Sequence, residues 1–264
     1  MQKHRLKRCG ILIHMQILKW SFNPALIPTL ASLLLFLLLL ALGFWQLDRA
    51  EQKQTITEDY NVKTAQEPVN LNTVPGTAAI LTPLIWRRCT LQGHYDSSRV
   101  YLLDNQIVNG VAGYFVYSPF IISGTKTSLL VNRGWVPMGD YRNQIPHLEQ
   151  VISEPVTIAG QIAVYPPLPG INNEKVLSGQ EVMAPGIFRI QQITEDGMEQ
   201  ILGTDLLSVV VRLNAHEPYG FFREWAPPVS GKQLHLGYAY QWFAMAAVFV
   251  LVFLSIHLQP REHP

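Results

Sequence analysis

His235-Leu236-Gly237-Tyr238-Ala239-Tyr240-Gln241-Trp242-Phe243 opens an uncharged run that continues to Leu258, and the reading of this run decides the fold class. Gly237 to Leu258 is 22 residues, which at about 1.5 Å per helical residue makes roughly 33 Å, against a bilayer hydrocarbon core of about 30 Å. A helix here is long enough to span a membrane, with His235 at the water interface and Tyr238, Tyr240 and Trp242 at the depth of an aromatic belt. His235, Tyr238 and Trp242 follow i, i+3, i+7 spacing, so an imidazole and two large rings share one helix face. A flat cofactor can lie on such a face. An interfacial anchor with a hydrogen-bonded histidine explains the same residues.

Working outward, a second apolar run stands near the other end. Trp20 to Leu47 is 28 consecutive uncharged residues, and Leu33 to Leu42 is leucine at all but two positions. This predicts a first spanning helix over residues 24–47. Residues 48–234 between the spans form the only stretch with room for a folded core, leaving 1–23 and 259–264 as terminal segments and 235–258 as the second span.

Charge orients the chain. Lys3, Arg5, Lys7, Arg8 and Lys19 give +5 ahead of the first span with no acid, whereas residues 48–234 hold 14 Lys and Arg against 18 Asp and Glu, a net of −4. The positive-inside rule places both termini in the cytoplasm and the middle domain outside, in a bacterial periplasm or its mitochondrial equivalent. A start at Met15 would leave Lys19 as the only positive residue before the span. Ala41 and Gly43 imitate a signal-peptide cleavage site, but the apolar run is long for such a peptide. The first serine is Ser21, which argues against a transit peptide.

Cysteine usage excludes several functions. Cys9 and Cys89 are the only two, one on each side of the first span, so the outer domain has no internal disulfide, no Cys-x-x-Cys and no zinc cluster. Catalytic motifs are missing as well: no Gly-x-Ser-x-Gly, no phosphate loop, no His-Glu-x-x-His and no dinucleotide fingerprint. His94, His147 and His216 are widely separated and lack ligand spacing.

Along the domain, Gly43 to Lys53 runs from the first span into a polar segment predicted helical to about Ala65, with Trp45 as interface anchor and Arg49 and Lys53 on one solvated face. Pro68 to Pro83 reads as loop. Strands are predicted at Ile85–Tyr95, Val100–Leu103, Tyr114–Ile122, Ser128–Val136, Val156–Val164, Ile187–Ile193 and Leu206–Leu213, all β-branched and aromatic runs bounded by turn residues. Helices interrupt them at Asp140–Gln150 and Glu195–Leu202, and Tyr165–Gly186 is an irregular, proline-rich excursion. The fold class is therefore two transmembrane helices flanking a β-rich α+β extracytoplasmic domain, built as an antiparallel sheet or small barrel.

Leu129-Leu130-Val131-Asn132-Arg133-Gly134-Trp135-Val136-Pro137 is the densest motif of this domain. Regular alternation puts Val131, Arg133 and Trp135 on one side, where Arg133 can stack on Trp135, and Asn132, Gly134 and Val136 on the other. Gly134 permits another backbone or a partner to approach closely. A buried structural arginine and a partner-binding arginine both fit.

Four blocks together resemble a known family. Leu42-Gly43-Phe44-Trp45-Gln46-Leu47-Asp48-Arg49 with Lys53, then Gly93-His94-Tyr95, then Leu130 to Pro137, then His235 to Phe243 are similar, in order, to the surfeit-locus-protein-one family, whose members assist assembly of cytochrome c oxidase. The resemblance implies two spans, an outer domain outside the cytoplasm of a bacterial inner membrane, and a chaperone-like role in supplying haem a to the oxidase catalytic subunit. The catalytic subunit and the haem a synthesis machinery are the implied partners. In bacterial members the histidine opening the second span is implicated in haem binding, which maps onto His235 as axial ligand with Tyr238 and Trp242 beside it. Gly43, Trp45, Gln46, Arg49, Asn132, Arg133, Gly134 and Trp135 carry the structural or partner-binding motifs. His94 stands where relatives often have arginine, and Tyr240 where they often have isoleucine or leucine. The function expected is that of a non-enzymatic assembly factor; a scaffold that holds the oxidase subunit without cofactor is the alternative.

Overall fold

The computed structural model describes residues 20–22, 25–142, 144–151, 153–167, 180–227 and 231–260. The expectations placed on the basic N-terminal segment, Met15 and Cys9 lie outside the described residues, as does most of Tyr165–Gly186. The chain forms two compact units, Met1–Thr57 with Val229–Pro264, and Glu58–Pro228.

The first unit is a helix pair. A short strand, β1 (Trp20–Phe22), precedes α1 (Leu26–Ala65), a helix of 40 residues. After the β-rich unit, α4 (Lys232–His257) adds 26 residues and runs into β11 (Leu258–Pro260). Both helices are long and apolar enough to cross a membrane. β1 and β11 pair antiparallel, Trp20 opposite Pro260, so the chain enters α1 and leaves α4 at the same end of the pair. Leu39, Gly43, Gln46 and Ala50 recur at spacings of four, three and four and form the buried stripe of α1, while Ala239 and Ala246 are the buried residues of α4. Small side chains let helix backbones approach where apolar burial gives no net drive. A methyl built on Gly43 would lie 2.5 Å from the Phe243 ring, whose centroid is 5.3 Å from that of Phe44, edge to face. Within the leucine run, Leu33, Leu34, Leu35, Leu37 and Leu38 are exposed.

The second unit is a barrel. In chain order it comprises β2 (Val69–Asn70), α2 (Ala78–Leu81), β3 (Arg88–Tyr95), β4 (Val100–Val108), β5 (Val111–Ile122), β6 (Ser128–Pro137), β7 (Val156–Ala163), β8 (Glu181–Ala184), β9 (Ile187–Ile190), α3 (Glu195–Leu202) and β10 (Leu206–Leu213). Strands β3, β7, β10, β6 and β5 neighbour one another in that order, and β3 pairs again with β5, which closes a five-stranded barrel. β2 extends it beside β3; β4, β9 and β8 extend it beyond β5. Closure pairs the five barrel strands on both sides and leaves the short strands β2 and β8 at the ends of the sheet order. Alternation along β3 sends Cys89, Leu91, Gly93 and Tyr95 inward, where they join Phe120, Leu129, Val131, Ile158, Val209 and Val211 in the core.

All seven expected strands form. The sheet is mixed, however: β6 with β10, β2 with β3 and β4 with β9 run parallel. The expected loop at Pro68–Pro83 contains β2, α2 and short 3-10 turns, and β8 falls within the expected excursion. α3 matches its expected bounds because its ends are locally written. The Thr194 hydroxyl accepts from the Gly197 amide at 3.2 Å, Glu195 and Asp196 complement the helix dipole, and Gly203 adopts the left-handed cap at φ 70°. The expected helix at Asp140–Gln150 does not form among its described residues. Pro146 disfavours helical φ and ψ at Ile145 and offers no amide, and the extended segment instead presents the Glu149 carbonyl to Arg133 at 2.7 Å.

Candidate cofactor-binding site

His235 lies in the first turn of α4, where its amide donates to the Gly231 carbonyl at 3.3 Å. Its ring is half-buried, and Nδ1 is 2.8 Å from Oε1 of Gln46 on α1. Gln46 is 9% exposed and interrupts an otherwise small and apolar stripe. A buried carboxamide without a partner costs free energy, and the imidazole supplies that partner. Histidine tautomers follow such contacts: with Nδ1–H donating to the amide oxygen, Nε2 carries the lone pair. Tyr238 is 50% exposed and Trp242 is partly buried. The face of α4 singled out by spacing therefore combines one tethered imidazole with a large exposed ring. The hydrogen-bonded histidine of the anchor reading is present, and its contact with Gln46 uses one of the two ring nitrogens.

Gln46 belongs to the residues expected to carry a structural or partner-binding motif, and its contact with His235 is not legible from that motif. The available signal was an uncharged amide within an apolar run, a group that needs a hydrogen-bond partner once buried. Its neighbours behave as helix-surface residues. The Arg49 guanidinium lies 5.8 Å from the Trp45 ring centroid and donates to Gln52 at 2.9 Å; Gln52 in turn donates to Asp48 at 2.7 Å. Trp45 is 49% exposed.

Arg133 and Trp135 do not stack. Asn132 faces Tyr117 and Trp135 faces Phe115, so three residues of β6 span what two of β5 span, and the extra residue is a bulge. Gly134 sits in it at φ +115°, which reverses the alternation and turns Arg133 away from Trp135. The guanidinium is fully buried and donates to the Tyr219 carbonyl at 2.7 Å, the Ser118 hydroxyl at 3.2 Å and the Glu149 carbonyl at 2.7 Å. Phe221 and Tyr95 lie 4.9 and 5.9 Å from it, ring centroid to Cζ. Burial lowers its pKa to about 10, with the neighbouring Tyr95 and Glu149 opposing the shift, so it keeps its charge at neutral pH. The close approach foreseen at Gly134 is made by the chain itself: a methyl there would lie 2.7 Å from the Phe222 carbonyl oxygen. Asn132 accepts the Gly134 amide at 3.0 Å, and the Trp135 indole donates to the Gln106 carbonyl at 3.0 Å. This motif lies on β6 within the barrel wall, and its arginine is buried against backbone carbonyls of the chain itself. His94 points outward from β3, and no group of three metal-ligating side chains occurs among the described residues.

A model of the SURF1 family matches residues 33–247, a stretch that begins within α1, covers the barrel and ends within α4. The chain belongs to the SURF1 family. Among curated relatives of this SURF1-family chain, Surfeit locus protein 1 of Rattus norvegicus is 24% identical over 226 residues, covering 78% of this chain and 68% of the rat protein. A SURF1-like protein of Rickettsia bellii is 22% identical over 232 residues, 85% of this chain and 88% of that protein. The Saccharomyces cerevisiae protein named cytochrome oxidase assembly protein SHY1 is 30% identical over 95 residues, 36% of this chain and 24% of the yeast protein.

Proposed function

We propose that this SURF1-family chain is a non-enzymatic assembly factor for cytochrome c oxidase, which takes haem a onto Nε2 of His235 and releases it to the oxidase catalytic subunit. Membership of a family with a relative named for oxidase assembly supports the process. The observation that carries the site is the 2.8 Å contact between His235 Nδ1 and Gln46 Oε1, because an imidazole held at one nitrogen offers the other as a directed donor to iron. Tyr238 and Trp242 on the same helix supply apolar surface for a macrocycle. One imidazole on an open helix face holds its cargo reversibly, as delivery requires.

The proposed topology has α1 and α4 crossing a bacterial inner membrane, termini in the cytoplasm and the barrel in the periplasm, where the catalytic subunit and the haem a synthesis machinery are its partners. The five basic residues before α1 support this orientation. The β1–β11 pairing supports both ends lying on one side. The test is the visible spectrum of protein purified in mild detergent from cells that make haem a. Wild type should show a Soret band, and His235→Ala should be recovered in normal yield without it. An unchanged spectrum with full oxidase activity would return His235 to the role of anchor, and no haem in either protein would favour the cofactor-free scaffold.

A further inference from the structure

We infer that Gln46 is the positioning residue for His235: its carboxamide oxygen accepts a hydrogen bond from Nδ1–H, fixes the ring as the tautomer with its lone pair on Nε2, and sets the direction in which that nitrogen points. The inference rests on the proposal that His235 is the iron ligand, and it adds a second residue, on the other helix, to the same site.

Three observations carry it. First, Gln46 is buried in a helix seam whose other buried positions on α1 are Leu39, Gly43 and Ala50, where an amide costs free energy unless it is hydrogen-bonded. Second, that bond goes to a side chain 189 residues away, so the partner is specified by the tertiary pairing of α1 with α4. Third, the seam sets the register of the contact. Gly43, one helical turn before Gln46, admits the Phe243 ring at a distance that leaves no room for a methyl, which holds the two helices close enough for Gln46 to reach His235. Neutral imidazole in water favours the proton on Nε2, so a lone pair on that atom has to be enforced by an acceptor at Nδ1. Gln46 is that acceptor. The two ring nitrogens diverge, so anchoring Nδ1 in the seam turns Nε2 out of it.

The test uses full-length protein with 15N-labelled histidine in lipid nanodiscs at about pH 8.5, above the ordinary imidazole range. The His235 signals are identified by their absence in His235→Ala. Wild type should carry its ring proton on Nδ1; Gln46→Leu should move to the Nε2–H form; Gln46→Glu, which still accepts from Nδ1, should restore the wild-type pattern. Titration with haem a should then show a Kd raised about 10–100-fold in Gln46→Leu, the usual loss when the orienting partner of a metal-binding histidine is removed, and largely recovered in Gln46→Glu. A proton on Nε2 in wild type would mean that the amide donates to Nδ1, and would overturn the inference. So would a wild-type tautomer or an unchanged Kd in Gln46→Leu. Should His235→Ala bind haem a as wild type does, the ligand proposal fails, while the tautomer comparison still decides whether Gln46 orients the ring.

Discussion

Replacing Arg133 by alanine should act by destabilising the barrel and not by removing a partner contact, because the guanidinium is fully buried. The guanidinium joins three separate segments, donating to Ser118 on β5, to the Glu149 carbonyl of the extended segment before β7, and to the Tyr219 carbonyl after β10. Removing it leaves two carbonyls and a hydroxyl without that donor in the core, each worth about 1–3 kcal/mol if wholly unsatisfied. It also opens a cavity where one of the largest fully buried side chains among the described residues stood. Relaxation and water entry recover part of this, and the net loss should be about 3–5 kcal/mol, a large share of the roughly 5–15 kcal/mol that holds an ordinary domain. For a domain of this size each kcal/mol moves the melting temperature by about 2–4 °C, so the midpoint should fall by about 10 °C. Arg133→Lys keeps the charge, but one ammonium cannot serve three divergent acceptors, and its midpoint should fall in between. The assay is a fluorescence-detected melt of the detergent-purified chain, with protease resistance alongside. A midpoint within about 2 °C of wild type, together with failed oxidase assembly, would refute this reasoning and make the strand a partner-binding surface.

Gly43→Leu must displace the Phe243 ring and should part α1 from α4, so the His235 ring-nitrogen signals should lose the Gln46-bound pattern although neither residue has changed; an unaltered pattern would refute the packing argument. Burial raises the Cys89 thiol from 9.0 to about 12 and the Tyr117 phenol from 10.0 to about 12. The folded state then keeps protons that the unfolded chain has already released, so stability should be full below about pH 9 and decline as the pH rises towards 12. Thermal melts across that range check it, and in a Cys9→Ser background alkylation of Cys89 should occur only on unfolding. For topology, a reporter active only in an oxidising compartment should give signal when fused at residue 150 and none at Pro264; the opposite pattern would refute the orientation.

The features legible in the sequence are those written locally. An uncharged run of sufficient length indicates a spanning helix without reference to any other part of the chain, and Thr194 and Glu195 by their side chains and Gly203 by its left-handed backbone mark the ends of α3. The seven strand runs could be located because β-branched and aromatic residues between turns act over a few positions. What they paired with could not. The parallel contact of β6 with β10 and the closing contact of β3 with β5 depend on how the barrel shuts, which no period in the sequence encodes. The helix expected at Asp140–Gln150 does not form among its described residues, and the contact of the Glu149 carbonyl with Arg133, a tertiary one, shows what that segment does instead. The motif around Arg133 was visible as a motif, but strict alternation assigned its faces wrongly, because a single bulged residue at Gly134 shifts every side chain beyond it to the other side. The candidate site divides in the same way. His235, Tyr238 and Trp242 lie within one helix and were found by spacing, whereas the partner of His235 lies 189 residues earlier on a different helix. Local sequence determines which residues share a face, and the tertiary fold determines what that face meets.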